Sequence, residues 1–580
     1  IFSTARKKMR GSLTDSIIHD YHSSRYTSDS IGANYGDHSS GYTGDSIDNY
    51  NGQPTTPDRT PVHDTKSTTP NPPPLTMHTD PTIFDDMEEL DNEDRQYAHQ
   101  SSRWNDRYQE LVDQWRGGFT ENLAEGRVSV TKRVLQLAQD FVFCAKTYGK
   151  IIISEKELEP SQRTIPLQTD IGGEAGGDKY MVQNILFKFA VDKTGMFGWA
   201  NSRAMKVAGH ELKGLICYAN CGIEALRLPL MCLVDYRGYR LVAISFLPLG
   251  PDSLILGSNN AAQTVHFDAG AEELNQHLRK AAKHLNLAKH RVGPDSHSLV
   301  DIWTAVDVEG HVGLDGHFYV LDFSRTMPPT LPRHHTMDRP ASHLYELFRP
   351  EFVKSFDVPL CSDGFSYFLQ HDPDKRKHNQ ALRKASFHLW DVTIPRFVKE
   401  ELIPDITEVA SNDPGELENF RLTQAMHRYG INMRYLGLVL KHIPEQHQVC
   451  RIFCIVEALS RVLKRNCRSR LRRKMQKLKV PLEEPYRRSV VSFFNLVFGK
   501  SEKADKYESK YRAQMIAQYE INLLPNEEKF THLLDLINST QLRGSYLLWR
   551  RIVAATGIKF SPRGVYKFDT LNLGCRSSEQ

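Results

Sequence analysis

The stretch Leu230-Met231-Cys232-Leu233-Val234-Asp235-Tyr236-Arg237-Gly238-Tyr239-Arg240-Leu241-Val242-Ala243-Ile244-Ser245, which continues to Leu249, consists of two apolar runs broken by Tyr236-Arg237-Gly238-Tyr239. Two such runs around a Gly-containing turn predict an antiparallel hairpin. The design recurs downstream, where Ile302 to Val308 and Phe318 to Phe323 read as strands separated by Gly310, Gly313 and the turn Asp315-Gly316. Pro328-Pro329-Thr330-Leu331-Pro332 then closes the region, because successive prolines remove ladder donors.

Upstream of the hairpin, Trp104, Tyr108, Leu111, Val112 and Trp115 recur every three to four residues, as do Val130, Val134, Leu137, Phe141 and Ala145. Two amphipathic helices are expected. Gly172-Gly173 and Gly176-Gly177 mark a loop, and Met181 to Phe189 reads as a further helix carrying Ile185, Leu186 and Phe189. From His343 onward helices dominate: Leu344 to Arg349, Ser386 to Leu402 with a kink at Pro395, Leu417 to His427, Tyr435 to Lys441, Val449 to Leu478, Val490 to Phe498 and Glu528 to Ile537. The predicted fold class is α+β, a mixed domain with antiparallel hairpins followed by an α-helical region. Four segments are expected: a disordered tail over 1–85, the α+β domain over 100–345, a helical region over 346–480 and a C-terminal helical segment over 481–580. The tail is rich in Ser, Thr, Asp, Gly and Pro and cannot bury enough apolar surface to offset its chain entropy.

Composition narrows the function classes. The formal net charge of 580 residues is only +4, so any nucleic-acid contact rests on a local patch. No run approaches the roughly 18 apolar residues of a spanning helix. The nine cysteines form no CxxC pair, which points to reduced thiols and a cytoplasmic setting. Cys217 with Cys221, and Cys450 with Cys454, can share helical faces, but His at ligand spacing is missing and core thiols are expected. No metal site and no cofactor is predicted.

Leu233-Val234-Asp235-Tyr236-Arg237-Gly238-Tyr239-Arg240 is similar to the V-D-Y-R-G-Y-R signature of the clustered-mitochondria (Clu) domain. His290-Arg291-Val292 is a second match. Gly310 to Pro329, with Asp315, Gly316, Tyr319, Asp322, Arg325 and Pro328, resembles the family's G-x-x-G-x-D-G-R-x-Y-x-L-D-x-x-R-x-x-P-P, with His317 where the family has Arg. Gly430-Ile431-Asn432-Met433-Arg434-Tyr435-Leu436-Gly437 resembles a later element, in a region named after a large translation initiation factor subunit. The likeness covers about Arg103 to Leu478; the family's N-terminal β-grasp domain and C-terminal tetratricopeptide array are not visible. The resemblance implies a cytoplasmic protein that binds messenger RNAs for mitochondrial proteins and keeps mitochondria dispersed.

The residues themselves offer two RNA candidates. Tyr236, Arg237, Tyr239 and Arg240 place rings and cations side by side at a turn, where they can stack a base or meet phosphate, with His290 and Arg291 as further candidates. The alternative is a structural hairpin in which Gly238 takes positive φ and the tyrosines cover a strand edge. Arg461 to Lys479 contains no acidic residue, and Arg468, Arg470, Arg472, Arg473 and Lys474 are its densest part. On a helix this run predicts sequence-blind, salt-sensitive phosphate contacts; a solvated face, an anionic lipid contact or a calmodulin-type target helix are the alternatives. Structural roles are expected for Asp235, Gly238, Asp315, Gly316, Asp322, Arg325, Pro328, Gly430, Asn432 and Arg434, with Asp322 and Arg325 forming a buried ion pair.

The expected function is a non-catalytic messenger-RNA- or ribonucleoprotein-binding factor in mitochondrial organization and translation. A protein scaffold without RNA binding is the alternative. A kinase-like nucleotide-binding enzyme is the remote one. Leu321-Asp322-Phe323 after a hairpin does resemble the metal-binding corner of a kinase, yet a Gly-rich phosphate loop, a lysine in the Leu241 to Leu249 strand and a His-Arg-Asp loop are all missing.

Overall fold

Strands form where apolar side chains alternate, and the first sheet follows from two such stretches. The computed structural model describes residues 103–117, 123–168, 177–260, 263–332, 341–412, 419–499, 501–519 and 544–558. The tail expected over 1–85, the glycines at 172, 173 and 176, and the helix expected over Glu528 to Ile537 lie outside the described residues.

Two helices lead in, α1 (Trp104–Arg116) and α2 (Leu123–Glu155). Their expected apolar residues do share a face, with the Trp104 ring edge-on to Phe141 at 5.5 Å. Next come β1 (Leu167–Gln168), β2 (Lys179–Val182), β3 (Ile185–Phe189), α3 (Asn201–Ala219), β4 (Leu226–Arg227), β5 (Met231–Tyr236) and β6 (Tyr239–Ser245). The first sheet has the order β1-β2-β3-β6-β5 with every pair antiparallel. The hairpin expected around Arg237-Gly238 is β5–β6.

The helix expected over Met181 to Phe189 is corrected to the hairpin β2–β3. Gln183 and Asn184 both take φ of 52°, which suits a tight two-residue turn. Ile185, Phe187 and Phe189 are buried while Leu186 and Lys188 point to the opposite face. Apolar residues at 185, 186 and 189 fit either period, so only the turn chemistry separates the two readings. One face of this sheet packs Tyr180, Phe187, Val234 and Leu241 on α1 and α2. The other packs Met231, Leu233 and Val242 with Met205 and Leu215 of α3.

The chain continues through β7 (Leu254–Gly257), β8 (His266–Phe267), α4 (Ala271–Leu285), β9 (His290–Val292), β10 (Val300–Ile302), β11 (Glu309–Val312) and β12 (Phe318–Leu321). A second sheet has the order β4-β12-β11-β7-β8, its β4–β12 pair parallel. The strand expected over Ile302 to Val308 reduces to its first residue, and the remainder crosses to β11.

Helices follow: α5 (Pro350–Ser355), α6 (Lys375–His388), α7 (Ile394–Phe397), α8 (Ile403–Asn412), α9 (Leu422–Arg428), α10 (Leu436–His442), α11 (Gln448–Leu478), α12 (Glu484–Phe498), α13 (Glu502–Tyr519) and α14 (Gly544–Thr556). Turns of π-helix at Leu389–Thr393 and Val398–Leu402 flank α7 and accommodate Pro395 within one helical path. No helix spans Leu344 to Arg349, because Pro350 holds Arg349 extended at φ −84° and ψ 147°. Among the described residues, no helix is long and apolar enough to cross a membrane. Side chains from α3 through α14 share one apolar core.

The later motif residues act as internal fastenings. Arg325 pairs with Asp307 at 3.0 Å and with the fully buried Asp363, instead of with Asp322, and its guanidinium lies 4.4 Å from the Phe368 ring centroid. Asp315 accepts hydrogen bonds from Tyr319 Oη at 2.9 Å and from the His317 amide. Gly316 takes φ of 75° beside it. Asn432 and Arg434 donate to the Leu347 carbonyl at 2.9 and 3.0 Å, beside Gly430, which takes φ of 70°. Phe348 donates its amide to the Pro328 carbonyl at 2.8 Å, so the Gly430–Arg434 element seats on the proline exit.

Gly214 in α3 lets the segment after β12 lie against the helix: a Cβ there would stand 2.2 Å from the Phe323 carbonyl oxygen. A Gly-to-Ala change inside a helix ordinarily stabilises by about 1 kcal/mol. Here Gly214→Ala is expected to reverse the sign and destabilise by about 2 kcal/mol, measured by urea unfolding.

Candidate nucleic-acid interface

The basic run lies on the second half of α11, and its neighbours divide it into two groups of cations. Cys450 to Leu463 is buried on all sides within the common core. Arg461 pairs with Glu457 at 3.0 Å, and Lys464 is also buried. Burial followed by repulsion from Arg468 pushes the Lys464 ammonium well below its ordinary value, against the attraction of Asp235.

The β5–β6 turn docks on this helix. Asp235 accepts from Arg240 Nε and Nη2, each at 2.8 Å, and from Arg468 Nη2 at 2.6 Å. Burial alone would raise the Asp235 carboxyl, but Arg240 and Arg468 outweigh it and hold it well below the usual carboxylate range. Arg240 also donates to the Met205 carbonyl of α3 at 2.8 Å, and Arg472 donates to the Gly238 carbonyl at 2.7 Å. Gly238 has φ of 87°, and a Cβ on it would lie 2.3 Å from the Arg468 carbonyl oxygen. The turn therefore meets helix backbone directly, and only glycine fits.

The aromatic residues of the turn are engaged too. The Arg237 guanidinium lies 4.1 Å from the Tyr486 ring centroid and 5.0 Å from that of Tyr236. Tyr239 is 3% exposed and donates to Glu157 at 3.0 Å. The solvent-facing tip that the sequence suggested is corrected: α11 and Tyr486 cover it. His290 is likewise internal, its Nε2 2.7 Å from Asp363. Arg291 reaches the surface and pairs with Asp301 at 3.3 Å. Sequence reasoning missed Asp363 and Tyr486, since neither lies in a pattern that announces a partner.

What remains outward on α11 is a shorter ridge. Arg473 and Lys477 are exposed and Lys474 is half-buried, and among the described residues none of the three forms an ion pair. Lys479, past the helix end, stands 3.9 Å from Glu159 with both side chains mostly exposed. Arg470 donates to Ser492 Oγ at 2.9 Å on α12. The outward cations recur at 473, 474 and 477 because the docked arginines at 468 and 472 occupy the neighbouring stripe. Among the described residues no group of three or more His, Cys, Asp and Glu could hold a metal ion.

The architecture defines a Clu-domain protein with a helical region beyond it. A family model described as "Clustered mitochondria" matches residues 103–332, and one described as "Translation initiation factor eIF3 subunit 135" matches residues 417–560. Residues 103–332 therefore form a Clu domain, and the chain is similar to clustered mitochondria proteins. It is 27% identical over 47% of its length to a clustered mitochondria protein homolog of Anopheles gambiae, covering 19% of that relative. A homolog from Dictyostelium discoideum is 21% identical over 72% of this chain and 36% of its own, and one from Arabidopsis thaliana is 23% identical over 44% of this chain. The chain thus spans well under half the length of these relatives. No solved structure matches it. The Asp235–Arg468 contact joins the two matched regions.

Asp235→Asn would leave Arg240 and Arg468 without their shared counter-charge, and because this carboxylate keeps contact with water a cost of about 1 kcal/mol at neutral pH is expected. Because the folded carboxyl titrates below its unfolded value of about 4, this stabilisation is complete above that pH and is lost as pH falls through the folded value. The gap between wild type and variant, followed by denaturant unfolding, should therefore begin to narrow below about pH 4.

Proposed function

We propose that this protein is a cytoplasmic messenger-RNA- or ribonucleoprotein-binding factor acting in mitochondrial distribution and biogenesis. The observation that carries the reading is the ridge Arg473, Lys474, Lys477 and Lys479, held outward because Arg468 and Arg472 are committed to the β5–β6 turn. Three cations on the helix and a fourth just past its end suit a phosphate backbone and carry no base readout. The names of the relatives support the mitochondrial assignment, and the likeness of residues 417–560 to an eIF3 subunit supports a partner in the translation machinery. The division into a Clu domain over 100–345 and helical segments over 346–480 and 481–580 belongs to the same proposal. So does the part given to Arg470, Arg473 and Lys474 in RNA contact. A scaffold that binds only proteins is the second reading, favoured by the burial of the turn that the sequence offered as a stacking platform.

The test is single-stranded RNA binding across a salt series, with a variant carrying Arg473→Ala, Lys474→Ala, Lys477→Ala and Lys479→Ala. Each lost phosphate contact should flatten the logarithmic salt slope by about 0.7, and four by about 3. Wild type that fails to bind RNA at low salt would turn the reading to the scaffold.

A further inference from the structure

Correcting Met181 to Phe189 from helix to hairpin puts a lysine on β3, the strand paired with the Leu241 strand in which the sequence shows none. Lys179 of β2 and Lys188 of β3 are direct register partners, and both side chains are half-buried. Their neighbours Tyr180 and Phe187 pack on α2, so the pleat aims both lysines at the α3 side. Two ammonium groups directly opposite each other repel. Burial, and then Lys188 itself, lowers the Lys179 ammonium, with Asp322 and Glu309 opposing.

Acidic groups from α3, β11 and the segment after β12 exert the charges felt on this side of the sheet. Glu211 of α3 is 8% exposed and accepts the Phe323 amide at 2.9 Å. Burial and then Asp322 push its carboxyl up to about 8, while the Phe323 amide and Lys188 act the other way. Asp322 follows β12, is exposed, and sits at φ 55° and ψ 59°, a conformation a non-glycine residue rarely takes. Phe323 beneath it is fully buried, 5.2 Å from the Tyr218 ring, and fixes Asp322 at the junction of α3 with the second sheet. Asp322 raises Asp307 and Glu309, after burial, which is the largest cause in both. Lys188 opposes the rise at Glu309, behind the hydrogen bond and charge of His311.

Asp307 is paired with Arg325 and Glu309 with His311, while among the described residues Lys188 and the exposed Asp322 form no such pair. A ligand bearing phosphates toward Lys188 and a cation toward Asp322 would complement both charges. Among the described residues the carboxylates do not by themselves hold a metal. That suits Mg²⁺, which is ordinarily held by one or two carboxylates together with the phosphates it accompanies. A strand lysine, a glutamate on the following helix and an aspartate just past a later hairpin is also the set with which kinases grip nucleotide. The strand order agrees with that use, since β6, formed after α3, inserts beside the lysine-bearing β3.

We infer that the junction of the first sheet with α3 and the segment after β12 binds a magnesium–nucleoside triphosphate, with Lys188 on the phosphates, Glu211 positioning Lys188 and Asp322 on the metal. Lys179 adds a second phosphate contact. The inference concerns binding, because no His-Arg-Asp catalytic loop accompanies the set. It stands independently of RNA binding, which uses the α11 ridge.

The experiment is calorimetric titration of the full chain with ATP and with GTP in Mg²⁺, repeated in EDTA and with Lys188→Met and Asp322→Asn. Binding of at least one nucleotide in Mg²⁺ is expected, weakened about tenfold or more by either substitution and by EDTA. The alanine variant of the α11 ridge should bind nucleotide as wild type does. Should Lys188→Met lower the thermal midpoint, Asp322→Asn at an exposed carboxylate decides. Wild type that binds neither nucleotide would overturn the inference, as would binding indifferent to Asp322→Asn and EDTA, or binding lost only in the ridge variant.

Discussion

A single carboxylate, that of Asp235, ties the sheet to the helical region. It accepts from Nε and Nη2 of Arg240 on the adjoining strand and from Nη2 of Arg468 of α11, while Arg472 donates to the Gly238 carbonyl. Two arginines on one acid leave positive charge in excess, and the contact holds because every participant has a further partner or partial access to water. The absent side chain at Gly238 matters as much, since anything larger would drive the helix backbone away. This contact fixes which stripe of α11 is internal and which is left for a ligand.

The other motif residues repeat the pattern on a smaller scale. His290 and Arg325, from separate segments, converge on the buried Asp363, which also accepts the Val306 amide. Asn432 and Arg434 satisfy the Leu347 carbonyl where the chain leaves the α+β domain. Buried polar groups of this kind are expensive unless fully paired, so they specify one arrangement of loops that hydrophobic packing alone would leave loosely defined. The Clu signature in this chain is thus in large part a set of fastenings between segments remote in sequence.

Much of the candidate interface could be read from the run Arg461 to Lys479, because a stretch without acids on a helix has to expose some of its charge. Which cations are exposed could not be read. Arg461 and Arg468 have partners 4 and 233 positions away, at Glu457 and Asp235, and only the second of these depends on the tertiary fold. The Tyr236-Arg237-Gly238-Tyr239 turn was legible as a turn, but its accessibility was decided by α11 and Tyr486 packing over it. At Lys188 the failure was local: a wrong period hid a strand lysine whose register partner is Lys179.

Period and turn chemistry are properties of adjacent residues, so the sequence by itself determined the hairpin β5–β6, the lead-in helices, the long helix α11 and the α+β-then-helical order. They also determined that the positive charge would concentrate near residue 470. The tertiary structure alone decided that the turn would be covered, that the outward ridge would begin at Arg473, and that Glu211 of α3 would accept the amide that follows Asp322. The physical reason is that burial and Coulomb interactions act through space at a few ångströms, between groups whose separation along the chain carries no information about their distance.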